Sequence, residues 1–279
     1  MKLAGWVGLA AVAAAVTIAP SAARAQALAP VAPDPVTEPG AVHTGPFRVS
    51  LGIGVALRPD YTGSRSTVAM VLPQVDVRWR DSVFISTTGG LPSLGANLLD
   101  TTGWRAGPVV RLRFPRYQNS NAALNGMGNI GWTPEVGGFL EYRSGSFRLG
   151  GEVRRGVGDH DGIVAELRAD AVLRPVDGMV LSFGPRLNLG DESFTRRYFG
   201  VDANQAARTG YATHRPGAGV TSVGAAAFAT YALTSNLSLT GLVEYSRLQN
   251  GAADSPLVQG RGDVNQVFTA LSLTYSFGW

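Results

Sequence analysis

The sequence predicts an all-β protein, a closed antiparallel transmembrane β-barrel of about twelve strands. Three observations predict it. Hydrophobicity alternates with period two from Phe47 to Trp279, short connections alternate with long ones, and aromatic residues gather at the strand ends beside the short connections.

The chain opens with one cation, Lys2, an apolar run from Leu3 to Ile18 and the small-x-small triplet Ala23-Arg24-Ala25. That pattern predicts a secretory signal peptide over 1–25, its apolar run too short for a spanning helix of roughly 20 residues. Gln26 is then the expected first mature residue. The chain has no Cys, which removes both a lipoprotein anchor and a disulfide framework. The formal net charge of +4 includes Lys2 and Arg24 of the expected signal, so the remainder is nearly balanced. Such a balance gives no reason to expect nucleic acid as a partner. Residues 26–46 carry Pro30, Pro33, Pro35, Pro39 and Pro46 and read as an extended periplasmic tail.

The barrel is expected over 47–279. Phe47, Val49, Leu51, Ile53, Val55 and Leu57 alternate with Arg48, Ser50, Gly52 and Gly54. Candidate strands follow at 68–80, 83–88 and 93–99. Trp104, Val110, Leu112 and Phe114 then alternate with Arg105, Arg111 and Arg113. Further strands are expected at 132–142, 147–157 and 163–173, the last with Glu166, Arg168 and Asp170 on its polar face. From Met179, Leu181, Phe183, Leu187 and Leu189 oppose Ser182, Arg186 and Asn188. Strands at 218–232 and 237–247 lead to the last one, where Leu271, Leu273, Tyr275, Phe277 and Trp279 alternate with Ser272, Thr274, Ser276 and Gly278. No helix of ordinary length is predicted. Twelve is the even count nearest this pattern; leaving the short pair around Gly89-Gly90 out of the wall gives ten.

Alternation alone fits a soluble sandwich as well as a barrel. The connections decide between them. Short turns lie at Asp81-Ser82, 100–103, 143–146, 176–178 and 233–236; long ones at 58–67, 115–131, 190–217 and 248–263, with tight links at 89–92 and 158–162. Short periplasmic turns opposite longer outer loops are the asymmetry of outer-membrane barrels. Phe47, Trp79, Trp104, Tyr142, Phe147, Tyr231 and Trp279 then share the periplasmic rim, at headgroup level. The expected location is the outer membrane, with its lipid and lipopolysaccharide as surroundings. The polar face, which carries Asp76, Arg78, Glu135, Glu141, Arg148, Glu152 and Arg154, lines the lumen.

Several stretches resemble the MltA-interacting protein family, also called MipA/OmpV. Pro59-Asp60-Tyr61-Thr62-Gly63-Ser64 is similar to its first loop, with Asp60 where the family pattern has Glu. Gly107 to Phe114 resembles its next landmark. Tyr198-Phe199-Gly200-Val201 and Ala206-Ala207-Arg208-Thr209-Gly210 match its central loop; Tyr245-Ser246-Arg247-Leu248 and Ala253 to Val258 match its last. The resemblance implies an outer-membrane scaffold for cell-wall enzymes, with a lytic transglycosylase and a bifunctional murein synthase as partners. Adhesion and antibiotic susceptibility are further roles among the relatives. A narrow channel for small polar solutes, selected by the Arg/Glu lumen, is the alternative that the residues themselves raise.

The remaining motifs favour bland readings, and no catalytic, cofactor-binding or metal residue is assigned. Gly52-x-Gly54 lacks the third glycine and helix of a nucleotide loop. Asp159-His160-Asp161 reads as a solvated turn rather than a cation site. His160, His214, Ser193 and Ser255 lie in outer loops without a hydrolase signature. Glu135 and Glu141 read as ion-pair partners of arginines. Arg261-Gly262-Asp263 spells a receptor-binding tripeptide that chance often produces. Arg111, Arg113 and Arg154 fall on the lumen side, where Glu152 or Glu166 are the expected partners. Arg155 faces lipid in this register, so either it snorkels near the outer rim or a bulge shifts the strand.

Overall fold

A computed structural model describes residues 45–87 and 91–279. The expected signal peptide, the tail up to residue 44 and the Gly89-Gly90 pair lie outside the described residues. The strands are β1 (Phe47–Pro59), β2 (Thr67–Trp79), β3 (Val83–Ser86), β4 in two segments (Ser93–Ala96 and Leu99–Thr101), and β5 (Trp104–Arg113). They continue as β6 (Thr133–Ser144), β7 (Phe147–Gly156), β8 (Ile163–Leu173) and β9 (Met179–Gly190). The wall ends with β10 (Gly219–Ala232), β11 (Leu237–Leu248) and β12 (Asn265–Gly278).

Each strand pairs antiparallel with the next, and β12 returns to β1 from Arg48↔Gly278 to Leu57↔Thr269. The weakest stretch also closes, through Val83↔Ala96 between β3 and β4 and Ser93↔Arg111 between β4 and β5. Between its segments β4 bulges: Asn97 donates its N–H to Ser82 and Leu98 donates to Ala106. The wall is therefore a complete twelve-stranded cylinder, and the ten-strand alternative falls away. Closure matters because lipid supplies no partner for a free strand edge.

Alternation becomes orientation. On β1, Leu51, Ile53, Val55 and Leu57 face out and are exposed, whereas Ser50 and Ala56 face in and are buried. The outward band continues through Val71, Leu140, Leu149, Leu167, Phe183, Val243 and Leu271, an apolar surface far too continuous for water. The seven predicted aromatics all lie at one rim. Phe47 is opposite Trp79 in register and stacks on Trp279 at 5.5 Å, and Trp104 packs on Tyr142 at 4.7 Å. In the β2–β3 turn Arg80 and Asp81 both adopt left-handed backbone, with φ of 51° and 53°. Arg80 lies 5.4 Å over the Trp79 ring, and Arg48 donates to Asp81, so neighbouring side chains hold this turn.

The loops depart from expectation. They carry four short helices, α1 (Glu192–Phe199), α2 (Ala203–Thr209), α3 (Asn250–Ala253) and α4 (Pro256–Arg261), plus a 3₁₀ turn at Ala122–Leu124. Local capping explains two of them. Asp191 accepts from the Phe194 N–H at the start of α1, while Asp202 and Gln205 form a reciprocal capping box on α2. Arg155 is exposed at the outer end of β7 with no shift in register, and its Nε donates to the Asp161 carbonyl. It snorkels.

Arginine on the outward face should therefore act by depth. Ile53→Arg, at mid-strand, is expected to destabilise the barrel by about 2–4 kcal/mol, and Thr67→Arg, at the outer end of β2, by about 0–1 kcal/mol. Urea unfolding in lipid vesicles measures both; equal costs would contradict the lipid-facing assignment.

Candidate functional site

Three regions are candidates: an ionic cluster in the lumen, a cap over the outer mouth, and the periplasmic rim. The ionic cluster grows from the inward faces of β5 to β9. Arg111 grips Glu152 with two hydrogen bonds, Nε at 2.7 Å and Nη2 at 2.9 Å. Arg113 chelates Glu135 from the neighbouring strand. Arg154 joins the two pairs, with Nε 3.0 Å from Glu135, Nη1 3.0 Å from Glu152, and Nη2 on Glu166. Three guanidiniums thus face three carboxylates. The expected partners Glu152 and Glu166 are present, and Glu135, expected to pair with arginines, stands at the centre between Arg113 and Arg154. Farther along, Arg168 reaches Glu141 at 2.8 Å, Arg186 reaches Asp170 at 2.7 Å, and Arg78 reaches Asp76 at 2.8 Å.

His160 corrects the expectation of a solvated turn. Its ring is buried and its Nε2 lies 3.1 Å from Glu135 Oε1. The two flanking acids turn away, Asp159 accepting from the Gly131 N–H and Asp161 from Ser193 Oγ. Glycine makes the inward turn possible: a Cβ on Gly156 would lie 2.2 Å from the His160 ring. The candidate serines are committed elsewhere, Ser193 to Asp161 and Ser255 to the Phe199 carbonyl at 2.7 Å, while His214 bonds the Gly251 carbonyl. Among the described residues no three His, Cys, Asp or Glu side chains gather as a metal site.

The cap is apolar and sits on the ionic cluster. Phe194 and Tyr198 of α1 lie 5.1 and 5.7 Å from the Arg113 guanidinium, and both rings meet His160 edge to face. Above them Ile130, Phe199, Leu248, Ala252 and Val258 form one buried cluster; Tyr61, Leu124, Met127, Val201 and Leu257 form another. Polar bonds knit the loops across the mouth. Asn121 donates to Asp60 at 2.7 Å, Arg116 to the Tyr198 carbonyl at 2.8 Å, Gln205 to the Met127 carbonyl at 2.7 Å, and Tyr211 to the Ala123 carbonyl at 3.0 Å. Burial pushes the Tyr61 phenol up to about 12 and the Arg116 guanidinium down to about 10.

The first-loop, central-loop and last-loop stretches that resembled a family therefore meet in this cap. Tyr61 comes from the first, Tyr198 to Val201 from the central loop, and Leu257 and Val258 from the last. Arg261-Gly262-Asp263 is folded into the same structure: Gly262 bridges to Ser64, the Asp263 N–H donates to Gly63, and Arg261 lies 5.9 Å over the Tyr211 ring. At the opposite end the periplasmic rim offers short turns bearing exposed Arg80, Arg174, Val176, Asp177 and Leu233.

A model of the family described as MltA-interacting protein MipA matches residues 51–277. Among solved structures, the NanC porin superposes with a TM-score of 0.49 at 10% identity, covering 81% of this chain and 98% of that one. The COG4313 outer membrane channel from Pseudomonas putida F1 gives 0.47 at 12% identity, covering 88% of this chain and 100% of that one. No curated protein matches the chain significantly.

Removing the central cation should be costly. Arg154→Ala strips a partner from Glu135, Glu152 and Glu166 at once and is expected to cost about 3–5 kcal/mol. Arg143→Ala, at a partly exposed arginine whose partner Glu141 retains Arg168, should cost about 0–1 kcal/mol. Chemical unfolding of the reconstituted barrel reads both values; an Arg154 variant as stable as the Arg143 one would show that the cluster does not hold the wall.

Proposed function

The chain belongs to the MltA-interacting protein MipA family, and on that premise we propose that this outer-membrane barrel is an interaction scaffold for murein enzymes. The observation that carries the reading is the cap. Loops between β1 and β2, β5 and β6, β9 and β10, and β11 and β12 place their apolar side chains against one another over the outer mouth. Beneath it, the neutral ion cluster occupies the lumen beside β5 to β9. An open diffusion pore needs a wet, unobstructed path, and both features oppose one.

The periplasmic rim is then the surface available for recognition. Its turns are short, and side chains brace the β2–β3 turn and the β10–β11 turn, so they offer a defined docking edge. The proline-rich sequence of 26–46 precedes β1, whose first residue Phe47 lies at that rim. The family description names MltA as the interaction partner; in this reading that partner is a lytic transglycosylase, with a bifunctional murein synthase as the second. Both contacts are placed on the periplasmic side.

Photo-crosslinkers at Asp177 and Leu233 should capture a lytic transglycosylase in native envelopes, whereas one at Arg208 in the cap should not. Recovery of no murein enzyme from either periplasmic position would overturn the scaffold. The same barrel should stay electrically silent in planar bilayers; discrete openings in the intact chain would favour a channel instead.

A further inference from the structure

The lumen is not uniform. Opposite the ion cluster, one row of cross-strand partners runs around the inner wall: Met70↔Ala56↔Ala270↔Leu242↔Phe228↔Ser182. Five of these six side chains are apolar, and this row borders a cavity of about 830 Å³. A volume of that size suits a small organic molecule. Ala226 and Phe268 extend the apolar wall toward the cap.

One carboxylate stands one inward position toward the cap from that row, just beyond the residues that line the cavity. Glu244 faces inward on β11, two residues from Leu242, between Ala226 and Phe268 on the adjoining strands, and is only 5% exposed. Among the described residues, Asp76, Glu135, Glu141, Glu152, Glu166 and Asp170 each pair with an arginine. Glu244 Oε2 has no hydrogen-bond partner. Arg186, on the next strand but one, holds Asp170 and the carbonyls of Gly184 and Pro185 through its two Nη atoms, while its Nε has no hydrogen-bond partner and its guanidinium lies 6.0 Å from the Phe228 ring centre. A buried carboxylate among apolar groups is costly until a donor meets it.

We propose that this half of the lumen binds a small amine with an apolar body, its ammonium held by Glu244 and its body packed against Phe228, Leu242 and Met70. A charge-assisted bond to the free carboxylate oxygen supplies orientation. Contact of the body with apolar walls, displacing poorly held water, supplies the rest of the affinity. The site is independent of any murein enzyme, so it stands or falls separately from the scaffold.

The probe is 2-phenylethylamine, titrated by ligand-observed NMR onto the full barrel in lipid nanodiscs, with empty nanodiscs as reference. Saturable binding is expected, weakened about tenfold or more in Glu244→Gln and lost when Ala270→Phe fills the cavity. Ala270→Leu, a milder filling that preserves the fold, should weaken binding severalfold; gel mobility with and without heating verifies that each variant is folded. Toluene, which lacks the ammonium, should bind more weakly than the amine and respond equally to wild type and Glu244→Gln. Binding no stronger than to empty nanodiscs would overturn the site. So would affinity unchanged by Glu244→Gln or by both Ala270 variants.

Discussion

The hydrocarbon phase accepts no backbone hydrogen bond, and the rest of this structure follows from that constraint. A sheet of these strands is stable there only if its first and last members meet, so β1 must find β12 across the whole sequence. Ten residue pairs make that seam. Its inner side is lined by small residues for a geometric reason: a Cβ on Gly52 would lie 2.2 Å from the Leu273 carbonyl oxygen. Closure of the wall and the composition of β1 are thus one fact seen twice.

Closing the cylinder puts the inward polar side chains of the wall into a confined interior, where unbalanced charge is expensive. The response is pairing: three arginines face three glutamates in the cluster centred on Arg154, and arginines also meet Asp76, Glu141 and Asp170, leaving Glu244 as the exception. Buried ion pairs roughly break even against apolar packing, so the network is better understood as fixing a unique arrangement than as a large source of stability. It also positions the cap. Arg113 presents its face to Phe194 and Tyr198 while its edge holds Glu135, so α1 rests on the same guanidinium that neutralises the lumen.

The wall was legible in the sequence because its information is local. Period two tells which side of each strand meets lipid, and the turn lengths tell which end is which; Phe47, Trp79 and Trp104 at one rim are the consequence. The cap was not legible. Its helices have four to eight residues, too few for a helical period to emerge beside long strands, although Asp191, Asp202, Gln205 and Gly210 stand at capping positions. His160 was misplaced for a related reason. A histidine between two aspartates in a glycine-rich link has the composition of a wet turn, and only the three-dimensional proximity of Glu135 turns it inward. Glu244 was likewise invisible, since its isolation is defined by the pairing of carboxylates on other strands.

The division of the lumen follows from where the charges were placed along the chain. Arginine and glutamate are concentrated on the inward faces of β5 to β9, whereas the neighbouring arc from β10 through β12 to β2 turns mainly Gly, Ala, Ser, Thr, Leu and Phe inward. A lumen of uniformly mixed charge would fill with paired side chains; a lumen with charge on one side fills there and leaves room on the other. The cap closes both halves from outside with the same set of loops. The uneven placement of charge around the wall therefore sets the chemistry of the interior, while turn length and the aromatic rim set the polarity of the molecule in its membrane.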